Sequence, residues 1–221
     1  MSFYQSQNQY GRGFSNEEKL RSEVLQKVLY GLIAAAFISV AITYIPIPVI
    51  FYFLAIGLEF VIVIAGWFAS NESTLEKLYY AFVATTAVVL GFTLTVFLSF
   101  PGGMQMVATA FSSTGLIVGG MYYYTSVYKP DTSGMRKILL PALLILFVVS
   151  IVSFFVAFSN TMYLLFSIGG AILFSLYLYY DLGRLMNDQY RSPARMAWMI
   201  YWDILLIFKF ILQALFFNSR R

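Results

Sequence analysis

The chain has 221 residues, 60% of them hydrophobic and only 11% charged, with a formal net charge of +4. A soluble domain is nearer about 45–50% apolar and about 25% charged, so this composition excludes an ordinary water-facing globule. Cysteine and histidine are both absent, which excludes disulfides, thiolate metal sites and Cys- or His-based nucleophilic triads.

Seven spanning helices need about 140 residues, and the remainder is too short for a separate soluble domain of about 100 residues. Residues 1–23 read as a polar cytoplasmic tail ending in a short helical lead-in. They carry no evident signal peptide, because the first apolar run starts late and lacks a convincing cleavage site. The transmembrane domain, residues 24–217, opens with Val24–Ile45. Pro46 and Pro48 mark a turn before the second span, Val49–Phe68. The third, Leu78–Phe100, is stopped by Pro101-Gly102-Gly103. The fourth, Met104–Tyr128, is rich in Gly, Ser and Thr, and Gly91, Gly115, Gly119 and Gly120 suggest close helix approach. A charged loop, Lys129–Lys137, precedes the fifth span, Ile138–Phe158. Met162–Leu185 is the sixth and Ala194–Phe217 the seventh, with Pro193 between them. Residues 218–221 form a short basic end. Tyr122–Tyr124, Tyr128, Tyr177, Tyr179 and Tyr180 fall near span ends, as an interfacial aromatic belt would.

An odd number of spans puts the termini on opposite faces. Arg12, Lys19, Arg21, Lys27, Lys77, Lys129, Arg136, Lys137, Arg184, Arg191 and Arg195 then fall on one side, and only Arg220 and Arg221 on the other. The positive-inside rule places the N-terminus in the cytoplasm and the C-terminus outside, most simply in a prokaryotic plasma membrane. The same rule accounts for the basic balance, so no nucleic-acid partner is expected.

Four ionisable residues lie deep in spans: Glu59, Asp181, Asp203 and Lys209. Such groups are costly in a bilayer and are functional candidates for that reason. Asp181 and Asp203 are each eleven residues from the loop midpoint at residue 192. A helical hairpin brings them to one depth, about 16 Å along the helices. Glu59 lies about 13 Å from the same end of the second span, so all three acids are expected in one layer. Two unpaired carboxylates there repel, and they relieve the repulsion by sharing a proton or accepting a cation. Without histidine, a proton-sensitive switch depends on such carboxylates or on the chain termini.

Structural readings stand beside these. Asp181 and Arg184 are spaced for a local ion pair. A serine or tyrosine hydroxyl in the bundle is the structural alternative for Asp203, and a helix-packing hydrogen bond that for Glu59. Tyr180 adjoins Asp181 and is placed to join its network. Lys209 lies about 240° around the helix from Asp203, so it snorkels or points to another carboxylate. A retinal-type lysine lacks its counterion, since the third span has no Asp or Glu. Intramembrane proteolysis finds Tyr180-Asp181 but no Gly-x-Gly-Asp partner. No phosphate loop or His-Glu-x-x-His occurs, and no enzymatic activity is expected.

The last two spans carry a family resemblance. Phe174-Ser175-Leu176-Tyr177-Leu178-Tyr179-Tyr180-Asp181-Leu182-Gly183-Arg184 resembles the sixth-helix signature of the Bax inhibitor-1, or transmembrane Bax inhibitor motif, family. Tyr201-Trp202-Asp203-Ile204-Leu205-Leu206-Ile207-Phe208 resembles its seventh-helix signature. Gly57-Leu58-Glu59, Leu90-Gly91-Phe92-Thr93-Leu94-Thr95, Thr109 through Thr114 and Lys129-Pro130-Asp131 resemble earlier family segments in the same order. The resemblance implies an all-α integral membrane fold, with six helices around a central seventh. It also implies a pH-sensitive calcium leak in which the pair matching Asp181 and Asp203 gates the path. Glu59 would lie on that path, and the three acids would hold Ca²⁺ only in transit. An arginine latch is part of the pattern, but the loop before the third span offers Lys77 instead. Arg184, Lys209 and Tyr180 are further candidate modulators. Ca²⁺ and protons are the expected partners together with membrane lipid, and no tightly bound cofactor is expected. A proton-coupled cation exchanger and a non-transporting regulator that binds another membrane protein are the alternatives.

Overall fold

Glycine and proline punctuation divides the chain into seven α-helices. The structure, a computed structural model, describes residues 2–220, with side chains for residues 17–220 except residue 154. Met1 and Arg221 lie outside the described residues, as does the side chain of Arg12. The helices are α1 (Ser2–Thr43), α2 (Ile50–Phe68), α3 (Glu72–Leu98), α4 (Gly103–Tyr128), α5 (Arg136–Phe155), α6 (Asn160–Met186) and α7 (Pro193–Ser219). A single 3-10 turn, Ser133–Met135, leads into α5.

The boundaries follow local chemistry. The Asn71 side chain accepts the Ser73 backbone N–H at 3.1 Å and caps α3. Ser159 caps α6 through Met162 N–H, and Ser192 caps α7 through Arg195 N–H at 3.1 Å. Pro193 opens α7, where its missing N–H costs nothing. Gly102, at φ +77°, makes the left-handed turn between α3 and α4.

Six of the seven helices are long and apolar enough to cross a membrane. The exception is α4, whose 26 residues are diluted by Gln105, by Ser and Thr, and by the Tyr122–Tyr124 run. It nevertheless carries the chain from one end of the bundle to the other. Near its start, Phe100 meets Arg220 at the end of α7, with the guanidinium 4.9 Å from the ring centre. Past its end, the Pro130 carbonyl accepts a hydrogen bond from Asn187 at the end of α6 (3.0 Å).

The α7 helix packs against α1, α3, α4 and α6, and its interface with α6 is the most extensive in the molecule. Val24, Tyr79, Phe82, Leu178, Leu185, Ile200, Tyr201 and Ile207 are buried between α1, α3, α6 and α7. Phe82 stacks on Trp202 at 4.5 Å, and Tyr201 Oη lies 2.8 Å from Thr86 Oγ1. By contrast, α2 and α5 turn long apolar faces outward, including Phe53, Phe60, Ile145 and Phe147. In a bilayer those faces meet lipid chains.

Glycine packing divides the expectation made from composition. A Cβ on Gly91 would lie 2.7 Å from Ile42 Cβ and 3.0 Å from the Ser39 carbonyl oxygen, so α1 and α3 do approach closely there. Gly115, Gly119 and Gly120 have nothing within 4 Å of that position. Those three therefore do not serve helix contact within this chain. They lie on the face of α4 turned away from its neighbours.

Candidate functional site

The basic end of the bundle is tied together by side chains. Arg21 of α1 grips Asp188 in the α6–α7 loop, donating from Nε to Oδ1 at 2.8 Å and from Nη2 to Oδ2. Lys27 pairs with Glu76 of α3. Arg195 Nη2 donates to the Ala69 carbonyl at 2.8 Å and the Gly66 carbonyl at 3.2 Å, covering the free carbonyls at the end of α2. The Glu72 carboxylate accepts the Ala194 N–H at 2.8 Å. The segments that sequence charge assigned to one face therefore do meet at one end.

Just inside that end lie the two aspartates. Asp181 on α6 is 4% exposed and Asp203 on α7 is 6% exposed. The two helices that carry them share the most extensive interface in the molecule. The protein partners of the two carboxylates are unequal. Asp181 Oδ1 accepts a hydrogen bond from Arg184 Nη1 at 3.3 Å, the local pair expected from an i,i+3 spacing. Asp203 Oδ2 is buried and has no hydrogen-bond partner among the described residues. A buried carboxylate oxygen in that condition carries a large desolvation cost unless a proton, water or cation satisfies it.

Arg184 has a second engagement. Its Nη2 donates to the Gln189 carbonyl at 3.1 Å, and its guanidinium sits 5.4 Å over the Tyr180 ring. Tyr180 thus meets the network through its ring and not through its hydroxyl. Asp188, next to Gln189, takes a left-handed backbone with φ +53°. Beside it, burial foremost and then the Asp188 charge push the Tyr190 phenol above its ordinary value. Tyr177, one turn before Asp181, is partly buried on α6. Its i−4 spacing from Asp181 was the available sequence signal, though its place in a Tyr-rich belt hid it.

Glu59 keeps different neighbours from the aspartates. It lines a cavity of about 40 Å³ between α2, α3 and α7, and Lys209 lines the same cavity. Among the described residues no three acids come together as a group able to hold a metal ion. Neither aspartate lines that cavity, and Glu59, Asp181 and Asp203 are not gathered into one such group. The reason is helix rotation: Trp202, Leu205, Leu206 and Lys209 of α7 face the cavity. Asp203 lies about 100° beyond Trp202, on another face of the helix. Lys77 is exposed on α3 and has no ion-pair partner within 4 Å among the described residues. The arginine that contacts Asp181 is Arg184.

Seven packed helices, apolar outward faces and acids held inside the bundle define a polytopic α-helical membrane protein. A family profile described as "Inhibitor of apoptosis-promoting Bax1" matches residues 19–220. The chain belongs to this family, the Bax inhibitor-1 family. It is 25% identical to an uncharacterised protein of Campylobacter jejuni subsp. jejuni, over the full length of both. It is 27% identical to an uncharacterised membrane protein of Vibrio cholerae, over 93% of this chain and 95% of that one. An uncharacterised Helicobacter pylori protein is 34% identical over 54% of this chain and 51% of its own.

Proposed function

We propose that the protein is a passive, pH-sensitive path for Ca²⁺, gated by the Asp181–Asp203 pair at the basic end of the bundle. The observation that carries this reading is the buried, unpartnered Oδ2 of Asp203, with a second buried carboxylate, Asp181, on the α6 helix packed against α7. One shared proton holds the two together and keeps α6 and α7 closed on each other. Loss of that proton leaves two like charges in a poorly screened space, and their repulsion opens the path. Arg184 supplies the cationic partner that sets how much charge Asp181 presents.

Oxygen ligands suit a hard cation such as Ca²⁺, and two carboxylates offer at most four of the roughly six to eight that it takes. An incomplete ligand set favours transit over storage, because conduction needs sites that release the ion. The bacterial relatives support a prokaryotic plasma membrane, and the charge bias supports a cytoplasmic N-terminus. The test is the full chain reconstituted in liposomes loaded with a Ca²⁺-sensitive dye. Flux that runs only down the Ca²⁺ gradient and responds to pH around neutrality upholds the proposal. Uphill Ca²⁺ movement driven by a proton gradient replaces it with an exchanger. No flux at any pH removes transport and leaves a regulatory membrane protein.

A further inference from the structure

The gate leaves the second polar place in the bundle without a role. Glu59 on α2 and Lys209 on α7 both line the cavity of about 40 Å³, room for one or two waters. Each lies within the field of the other. Among the described residues they form no ion pair closer than 4 Å, so the two opposite charges share the cavity without closing on each other. The other walls are mostly apolar, with Phe82, Trp202 and Leu206 among them. The Thr86 hydroxyl, also on the wall, is engaged by Tyr201 and by the carbonyls of Phe82 and Val83. Nothing else titratable lines the cavity.

An ammonium and a carboxylate set this way leave the cavity neutral as a whole. A free cation there gains from Glu59 but is repelled by Lys209, and a divalent ion feels both effects doubled. We infer that Lys209 is a tethered counter-ion to Glu59, which a mobile cation must displace to occupy the cavity. Lys209 thereby limits cation flow through this chain. The inference rests on the transport reading above, but it concerns a different place and different residues.

The test is Ca²⁺ flux through reconstituted Lys209→Met, Glu59→Gln and the double variant, beside wild type and Asp203→Asn. Lys209→Met leaves Glu59 as the only charge, and flux rises about tenfold, the factor equivalent to 1.4 kcal/mol. Glu59→Gln leaves the ammonium alone, and flux falls below wild type. The double variant returns toward wild type. A Lys209→Met flux equal to wild type, with Asp203→Asn altered, overturns the counter-ion and leaves the gate standing. No flux in wild type and in Lys209→Met alike overturns the transport reading, and this inference with it. Stability in detergent gives a readout independent of transport. Glu59→Gln lowers the unfolding midpoint by stranding Lys209, and adding Lys209→Met restores it. Strictly additive losses overturn the pairing. If Lys209→Met does not give a monodisperse preparation, Lys209→Gln removes the charge while keeping a polar end.

Discussion

The Arg21–Asp188 clasp joins two residues 167 positions apart and offers a prediction whose size comes from its geometry. Arg21 and Asp188 side chains are 20% and 28% exposed, and two parallel contacts join them. Exposed pairs contribute about 0.2–1 kcal/mol, and hydrogen bonds to charged groups about 1.5–3 kcal/mol. A mostly covered, bidentate pair that still touches water falls between, at about 1.5 kcal/mol of coupling. Arg21→Gln and Asp188→Asn each remove one charge, and Asn tolerates the left-handed backbone at this position. In a double-mutant cycle, followed by unfolding in mixed micelles, the double variant should cost about 1.5 kcal/mol less than the two singles added together. The backbone supplies an internal control. Asp188→Gly should be more stable than Asp188→Ala by about 1 kcal/mol, because only the alanine is strained at φ +53°. Additive losses in the cycle would refute the clasp. Equal Gly and Ala variants would refute the assigned backbone geometry.

Helix packing predicts opposite signs for two glycines. Gly91→Ala drives a methyl group into Ile42 and the Ser39 carbonyl and should destabilise by about 1–3 kcal/mol. Gly119→Ala meets open space on α4 and should stabilise by about 0.5–1 kcal/mol through helix propensity. The same unfolding assay checks both. Topology can be read with single cysteines, since the chain has none. A membrane-impermeant thiol reagent should label Asp131→Cys only from the cytoplasmic side and Ser99→Cys only from outside, both positions being exposed loop residues at opposite ends. Reversed labelling would overturn the positive-inside assignment.

Much of the fold was legible because its signals are local. Pro46, Pro48, Pro101-Gly102-Gly103 and Pro193 all lie in turns or at helix starts, and hydropathy outlines six helices without ambiguity. The Asp181–Arg184 pair was legible for the same reason, since an i,i+3 spacing fixes proximity on one helix. The angular offset of Lys209 from Asp203 also carried information: it left snorkelling or another carboxylate as the alternatives, and Glu59 lines the same cavity. What sequence could not supply is the rotation of one helix against another. Depth along the axis put Glu59 level with the aspartates, but the side of α7 that α2 addresses decides its neighbours. Gly115, Gly119 and Gly120 fail for the same reason, being small residues on a face that no other helix of this chain covers. The Arg21 clasp joins distant positions and has no periodic signature at all.

The most direct test of the central claim is the pH response of Ca²⁺ flux in liposomes carrying Asp203→Asn, measured beside wild type. Asparagine keeps the shape of the side chain but cannot share a proton with Asp181. The pair should then lose its electrostatic switch, leaving flux nearly independent of pH around neutrality while wild type varies. An Asp203→Asn protein that conducts like wild type and keeps the same pH response would contradict the account.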